Sequence, residues 1–83
     1  MTLHEVRKFD LDGWSCSILD NIEEGWSIAV CWTRGKRKQI AIPAVDFETC
    51  DEEVFRAYLP DPVARRLASI CRMYRIVKMR SRI

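Results

Sequence analysis

At 83 residues the chain has room for one domain, with roughly two-thirds of its unfolded surface buried on folding and a thin stability margin. Hydrophobic residues make up 48% and charged residues 31%, which excludes a disordered chain. No apolar run approaches the ~18 residues of a membrane span, and Met1-Thr2-Leu3-His4-Glu5 lacks a signal-peptide core, so a soluble, cytoplasmic protein without a targeting segment is expected.

Residues up to about Ala44 alternate with period two, and those after about Thr49 follow helical spacing. The first half therefore predicts an antiparallel sheet over 1–44. Its first strand is the weakest, because Val6-Arg7-Lys8 carries so much charge. Asp12-Gly13 is a tight hairpin turn that pairs Phe9 with Cys16 and Leu11 with Trp14. A polar connector, 20–25, leads to the clearest strand, 26–32. There Trp26, Ile28, Val30 and Trp32 share one face, and Ser27, Ala29 and Cys31 share the other.

Its partner runs over 36–42. A two-residue loop at Arg34-Gly35 sets Val30 opposite Gln39 and splits the apolar face. A three-residue loop with Gly35 left-handed sets Ile28 opposite Ile40 and Trp26 opposite Ile42, and is preferred because it keeps one apolar face. Pro43 ends this strand or marks a sheet edge. On this reading Trp14, Trp26 and Trp32 all lie under the helix layer.

The second half predicts two helices over 49–79. Thr49-Cys50-Asp51-Glu52 has the form of a capping box ahead of Val54, Phe55, Tyr58 and Leu59. Leu59-Pro60-Asp61-Pro62 then stops that short helix and starts the next, with Asp61 as cap and Pro62 in the first turn. Val63, Leu67, Ile70, Tyr74 and Val77 form a stripe about 80° wide that should face the sheet. The expected fold is α+β: an antiparallel four-stranded meander of two hairpins, packed on one face by the C-terminal helix, with one short helix beside it. Residues 78–83, three cations and no anions, are expected to fray as a mobile tail.

Catalytic chemistry finds little support. His4 is the only histidine and lies near the chain end, where a general base cannot hold its geometry. The carboxylate pairs Glu23-Glu24 and Asp51-Glu52-Glu53 fall in a connector and in a helix's first turn, where negative charge suits the helix dipole. Gly13, Gly25 and Gly35 are turn residues, and no phosphate loop exists. Cys16, Cys31, Cys50 and Cys71 lie 15, 19 and 21 residues apart without a Cys-x-x-Cys pair, so metal ligation is not expected. Their even number leaves a disulfide framework open, but without a secretory signal buried, reduced thiols are expected. Neither an enzyme nor a cofactor is anticipated.

Charge is unevenly placed. From 61 to 83 seven cations face one anion, a net +6 that leaves −4 on the first sixty residues. Arg65, Arg72 and Arg75 lie opposite the core stripe, Arg80 and Arg82 follow, and Arg34, Lys36, Arg37 and Lys38 form a second cluster at the hairpin tip. Arginine's planar fork suits bidentate binding of carboxylates or phosphates. These nine residues are the expected partner site. The leading expectation is a non-enzymatic protein-binding module of adaptor or inhibitor type, of the kind phages and mobile elements encode, docking on a larger protein or nucleoprotein assembly. The alternative is nucleic-acid binding through the same cations; no RNA-recognition signature or helix-turn-helix spacing supports it. A solubilising surface that also suits the helix dipole is the plainest account of the same charges.

Overall fold

The computed structural model describes the backbone of residues 3–80, and all side chains within that span except those of residues 36 and 75–80. Four strands, β1 (His4–Leu11), β2 (Trp14–Asn21), β3 (Trp26–Thr33) and β4 (Gln39–Ile42), form one antiparallel sheet in the order β1-β2-β3-β4. Three helices follow: α1 (Ala44–Phe47), α2 (Glu52–Arg56) and α3 (Asp61–Arg80). The α+β meander with a C-terminal helix is as expected, and α1 is an additional element.

The β1–β2 hairpin follows from its turn. Asp12 and Gly13 both have positive φ, 49° and 80°, as the twist of a two-residue hairpin requires. Phe9 therefore pairs with Cys16 and Leu11 with Trp14. Val6 and Phe9 are an odd number of residues apart, yet both pack against the core. A bulge between Glu5 and Arg7 reconciles them, because the extra residue returns Val6 to the side that regular alternation would deny it.

The β3–β4 register differs from the expected one. Thr33 N–H donates to the Lys38 carbonyl at 3.0 Å, and Lys38 N–H donates to Thr33 Oγ1 at 3.0 Å. The loop thus spans residues 34–37, with Gly35 at φ 80°. Ala29 stands opposite Ile42 and Cys31 opposite Ile40, while Trp32 faces Gln39. A change of one residue in pairing parity exchanges faces. The isoleucines of β4 consequently join Ala29 and Cys31 under the helices, and Trp26, Ile28, Val30 and Trp32 turn to the other side. Of the three tryptophans only Trp14 packs against the core. Alternation in β3 favours the larger, wholly apolar face of Trp26, Ile28, Val30 and Trp32, yet the helices pack on the smaller face with Ala29 and Cys31.

The core joins Cys16, Ile18, Ala29, Cys31 and Ile42 of the sheet to Phe47, Phe55, Val63, Ala64, Leu67, Ala68 and Cys71 of the helices. Phe47 and Phe55 stack with ring centroids 6.0 Å apart. On α3 the buried stripe is richer in small residues than the spacing suggested: Ala64, Ala68 and Cys71 are buried, whereas Ile70 is only half-buried. The cap of α2 is Asp51, whose carboxylate accepts from Glu53 N–H at 2.9 Å, and not Thr49. The Thr49 hydroxyl instead donates to the Asp46 carbonyl at 2.7 Å, because Cys50 adopts φ 51° and breaks the path from Thr49 into the helix. α3 starts at Asp61, its first bond running from Ala64 N–H to the Pro60 carbonyl. Its backbone stays helical through Arg80, beyond the start of the expected tail; residues 81–83 lie outside the described residues.

Cys50 and Cys71 are joined by a disulfide with Cα atoms 5.6 Å apart, whereas Cys16 and Cys31 are free and buried. Reduced thiols are expected of all four from the absence of a secretory signal, but the fold brings Cys50 and Cys71, 21 residues apart, within bonding distance. In the reduced form the Cys71 thiol can donate to the Phe47 carbonyl, with Sγ at 3.4 Å. The bond closes a loop of 21 residues, so the Cys50→Ala/Cys71→Ala variant should lose about 3 kcal/mol of stability relative to the oxidised chain on a chain-entropy account. Urea unfolding with and without reductant measures this. Phe55 is fully buried, and Phe55→Ala should cost about 3–5 kcal/mol in the same assay.

Candidate binding surface

On the side of the sheet away from the helices, β3 presents Trp26, Ile28, Val30 and Trp32 in one row, beside Ser15, Ser17 and Leu19 of β2 and Ala41 of β4. Residues two apart on a strand are about 7 Å apart, so the row measures about 20 Å from Trp26 to Trp32. Leu19, Trp26, Ile28 and Trp32 are half-buried and take no part in the core shared with the helices, and Val30 is buried outside that core as well. Two carboxylates border the row. The Trp26 indole N–H donates to Glu24 at 2.6 Å, and Glu24 N–H donates to Asn21 Oδ1 at 3.0 Å, holding the turn at that end. The Ser17 hydroxyl donates to Glu5 at 2.7 Å.

Beyond Trp32, at the far end of the row, lies the loop with Arg34, Arg37 and Lys38, all exposed. Arg34 N–H donates to the Gly13 carbonyl at 2.7 Å and locks the two hairpin turns together. A shallow cleft there is lined by Asp10, Leu11, Asp12, Gly13, Trp14, Ser15 and Arg34. Asp10 and Asp12 therefore offset part of the positive charge of the tip. The Lys36 side chain is outside the described residues.

The helix arginines form a different surface. Arg65, Arg66 and Arg72 are exposed, on a helix that packs against the opposite side of the sheet from the tryptophan row. Arg65 pairs with Glu52 of α2 at 3.6 Å, in the same network as Arg56, which contacts Glu52 and lies 3.7 Å from Asp61. Arg72 is two residues from Tyr74, whose hydroxyl donates to Asp20 at 2.9 Å. Asp20 stands opposite Ser27 near the β2–β3 turn. Ser27 is seven residues from Arg34, about 23 Å along the strand. Arg72 and the cationic hairpin tip, which the sequence suggested as parts of one site, thus lie toward opposite ends of the sheet, and Arg65 lies beside α2. Arg75 and Arg80 lie on the α3 backbone with side chains outside the described residues, and Arg82 lies beyond them.

Sequence reasoning missed Asp20, a buried carboxylate that accepts from both the Ser27 and the Tyr74 hydroxyls; its neighbours are distant in sequence, and no local pattern marks it. Comparison with protein-family models, with curated proteins and with solved structures finds no match, so the residues carry the functional argument.

Both tyrosines hold their protons more tightly than usual. Burial first, then the hydrogen bond to Asp20 and its negative charge, push the Tyr74 phenol up to about 12, against a smaller lowering by Arg7. Tyr58 is raised chiefly by the hydrogen bond it donates to Asp46. For Tyr74 the folded value exceeds the unfolded one, near 10. Its contribution to stability is therefore complete below pH 10 and is lost as pH rises from there to 12. An ultraviolet titration of tyrosinate should show Asp20→Asn moving Tyr74 part of the way back toward 10, with burial retaining the rest. A Tyr74 midpoint unchanged in that variant would remove Asp20 as a cause.

Proposed function

We propose that this chain is a non-enzymatic binding module, of adaptor or inhibitor type, that docks on a larger protein or nucleoprotein assembly through the tryptophan face of its sheet. The observation that carries this reading is the row Trp26-Ile28-Trp32 on a face that the core with the helices leaves uncovered. Interfaces concentrate binding energy in tryptophan, tyrosine and arginine at the centre of a patch that excludes water. Here two tryptophans sit between a turn bearing Glu24 and a tip bearing Arg34, Arg37 and Lys38. This polarity would orient a partner along β3.

The face supports the reading better than the edges do. β1 carries a bulge and many charges. β4 is only four residues long and is followed by Pro43. Short, charged and bulged strands are poor templates for strand addition. The exposed arginines of α3 lie on the other side of the domain and form a second, independent contact in this proposal. The cytoplasm is the proposed compartment. Its glutathione would keep Cys50 and Cys71 reduced, and the bond would close outside it. Among the described residues no helix is long and apolar enough to cross a membrane.

Base stacking is the second reading, because half-buried indoles on an uncovered sheet face are what such a platform needs. Glu24 at the edge of Trp26, and Asp10 and Asp12 beside Arg34, oppose a phosphate backbone there. Affinity capture with quantitation separates the two. Trp26→Ser/Trp32→Ser should lower recovery of a specific protein partner at least tenfold, as expected for anchors worth about 2 kcal/mol or more, while Arg65→Glu/Arg72→Glu lowers it less. Equal recovery by wild type and the tryptophan variant would remove the sheet face from the account. Binding of single-stranded nucleic acid that weakens about a hundredfold between 50 and 200 mM salt would support stacking instead.

A further inference from the structure

Cys16 and Cys31 are direct partners across β2 and β3, on the core face, and both are fully buried. The hydrogen-bonding sense of this pair follows from the turns. The two-residue turn at Asp12-Gly13 makes Leu11–Trp14 a hydrogen-bonded pair, so Phe9–Cys16, two residues on, is one as well. Because a strand residue sends its N–H and C=O to the same side, Cys16 bonds toward β1 and meets Cys31 as a non-hydrogen-bonded pair. The bond from Thr33 N–H to the Lys38 carbonyl turns Cys31 toward β4 by the same parity. Non-hydrogen-bonded partners have Cα atoms about 4.5 Å apart, at the short end of the range that a disulfide spans.

We propose that Cys16 and Cys31 are a second disulfide site, closed by exchange with a small disulfide such as oxidised glutathione while the sheet is open, and sealed from it once the chain has folded. One cysteine thiolate attacks a glutathione disulfide sulfur and releases one glutathione thiolate. The other cysteine then attacks the mixed disulfide and releases the second. Two S–H bonds are replaced by one S–S bond, and two electrons pass to the glutathione disulfide, which leaves as two thiols. Access and thiolate formation both limit this chemistry. In the folded chain neither sulfur reaches solvent, and the adjacent Cys31 thiol together with burial raises the Cys16 thiol far above its ordinary range. Opening of the sheet removes both barriers.

Peptide mapping by mass spectrometry after acid quench and alkylation tests the site on the full chain. Reduced protein refolded from denaturant in glutathione buffer should contain cross-links Cys16–Cys31 and Cys50–Cys71. The same buffer added to already folded, reduced protein should close Cys50–Cys71 at least tenfold faster than Cys16–Cys31. The Cys50→Ala/Cys71→Ala variant, refolded in the same way, should contain the Cys16–Cys31 link alone. Alkylated Cys16 and Cys31 in the refolded wild type, cross-links between the two pairs, or closure of both pairs at one rate in the folded protein would each overturn the proposal.

Discussion

On β3 the helices meet the small side chains of Ala29 and Cys31. Phe47 and Phe55 bring two stacked rings to the interface, and interiors pack at nearly crystalline density. The sheet meets those rings with Cys16, Ala29 and Cys31, and α3 contributes Ala64 and Ala68. Two further indoles in the same layer would hold the helices away and open voids. Trp26 and Trp32 are therefore displaced to the other face, and the candidate binding surface is a consequence of how the core is filled.

The helix layer is held at fixed points as well as by apolar contact. When closed, the Cys50–Cys71 bond fastens α3 to the connector between α1 and α2. One turn further along the helix, Tyr74 reaches Asp20, a carboxylate buried in the sheet that also accepts from Ser27. A buried carboxylate is tolerated when hydrogen-bond donors surround it, and removing a donor costs more than the bond contributes. For a domain of 83 residues, whose apolar burial leaves little margin, such fastenings weigh heavily.

The charge asymmetry of the sequence acquires a direction in space. The cations of the hairpin tip stand beside Trp32 and are partly offset by Asp10 and Asp12. Those of α3 lie on the far side of the sheet, with Arg65 drawn into a network with Glu52, Arg56 and Asp61. Exposed pairs of this kind contribute at most about 1 kcal/mol to stability, so Arg65 remains free in energetic terms to exchange its partner for another. A protein surface met along the tryptophan row would engage the tip and leave α3 available for a separate contact.

What the sequence determined by itself is local. The Asp12-Gly13 turn, the register of its hairpin, the period of the strands and the break at Pro60-Asp61-Pro62 are decided by residues within a few positions of one another, where backbone preference and side-chain alternation act directly. The α+β class follows from that sequence of periods. Tertiary structure decided whatever depended on distance across the chain. Alternation in β3 favours its larger apolar face, yet Phe47 and Phe55 share the core with Ala29 and Cys31 of the smaller one, and the β3–β4 register brings Ile40 and Ile42 to that side. The pairing of Cys50 with Cys71, the burial of Asp20 and the separation of the two cationic clusters arise where segments far apart in sequence meet. No spacing along a chain records which segments those are.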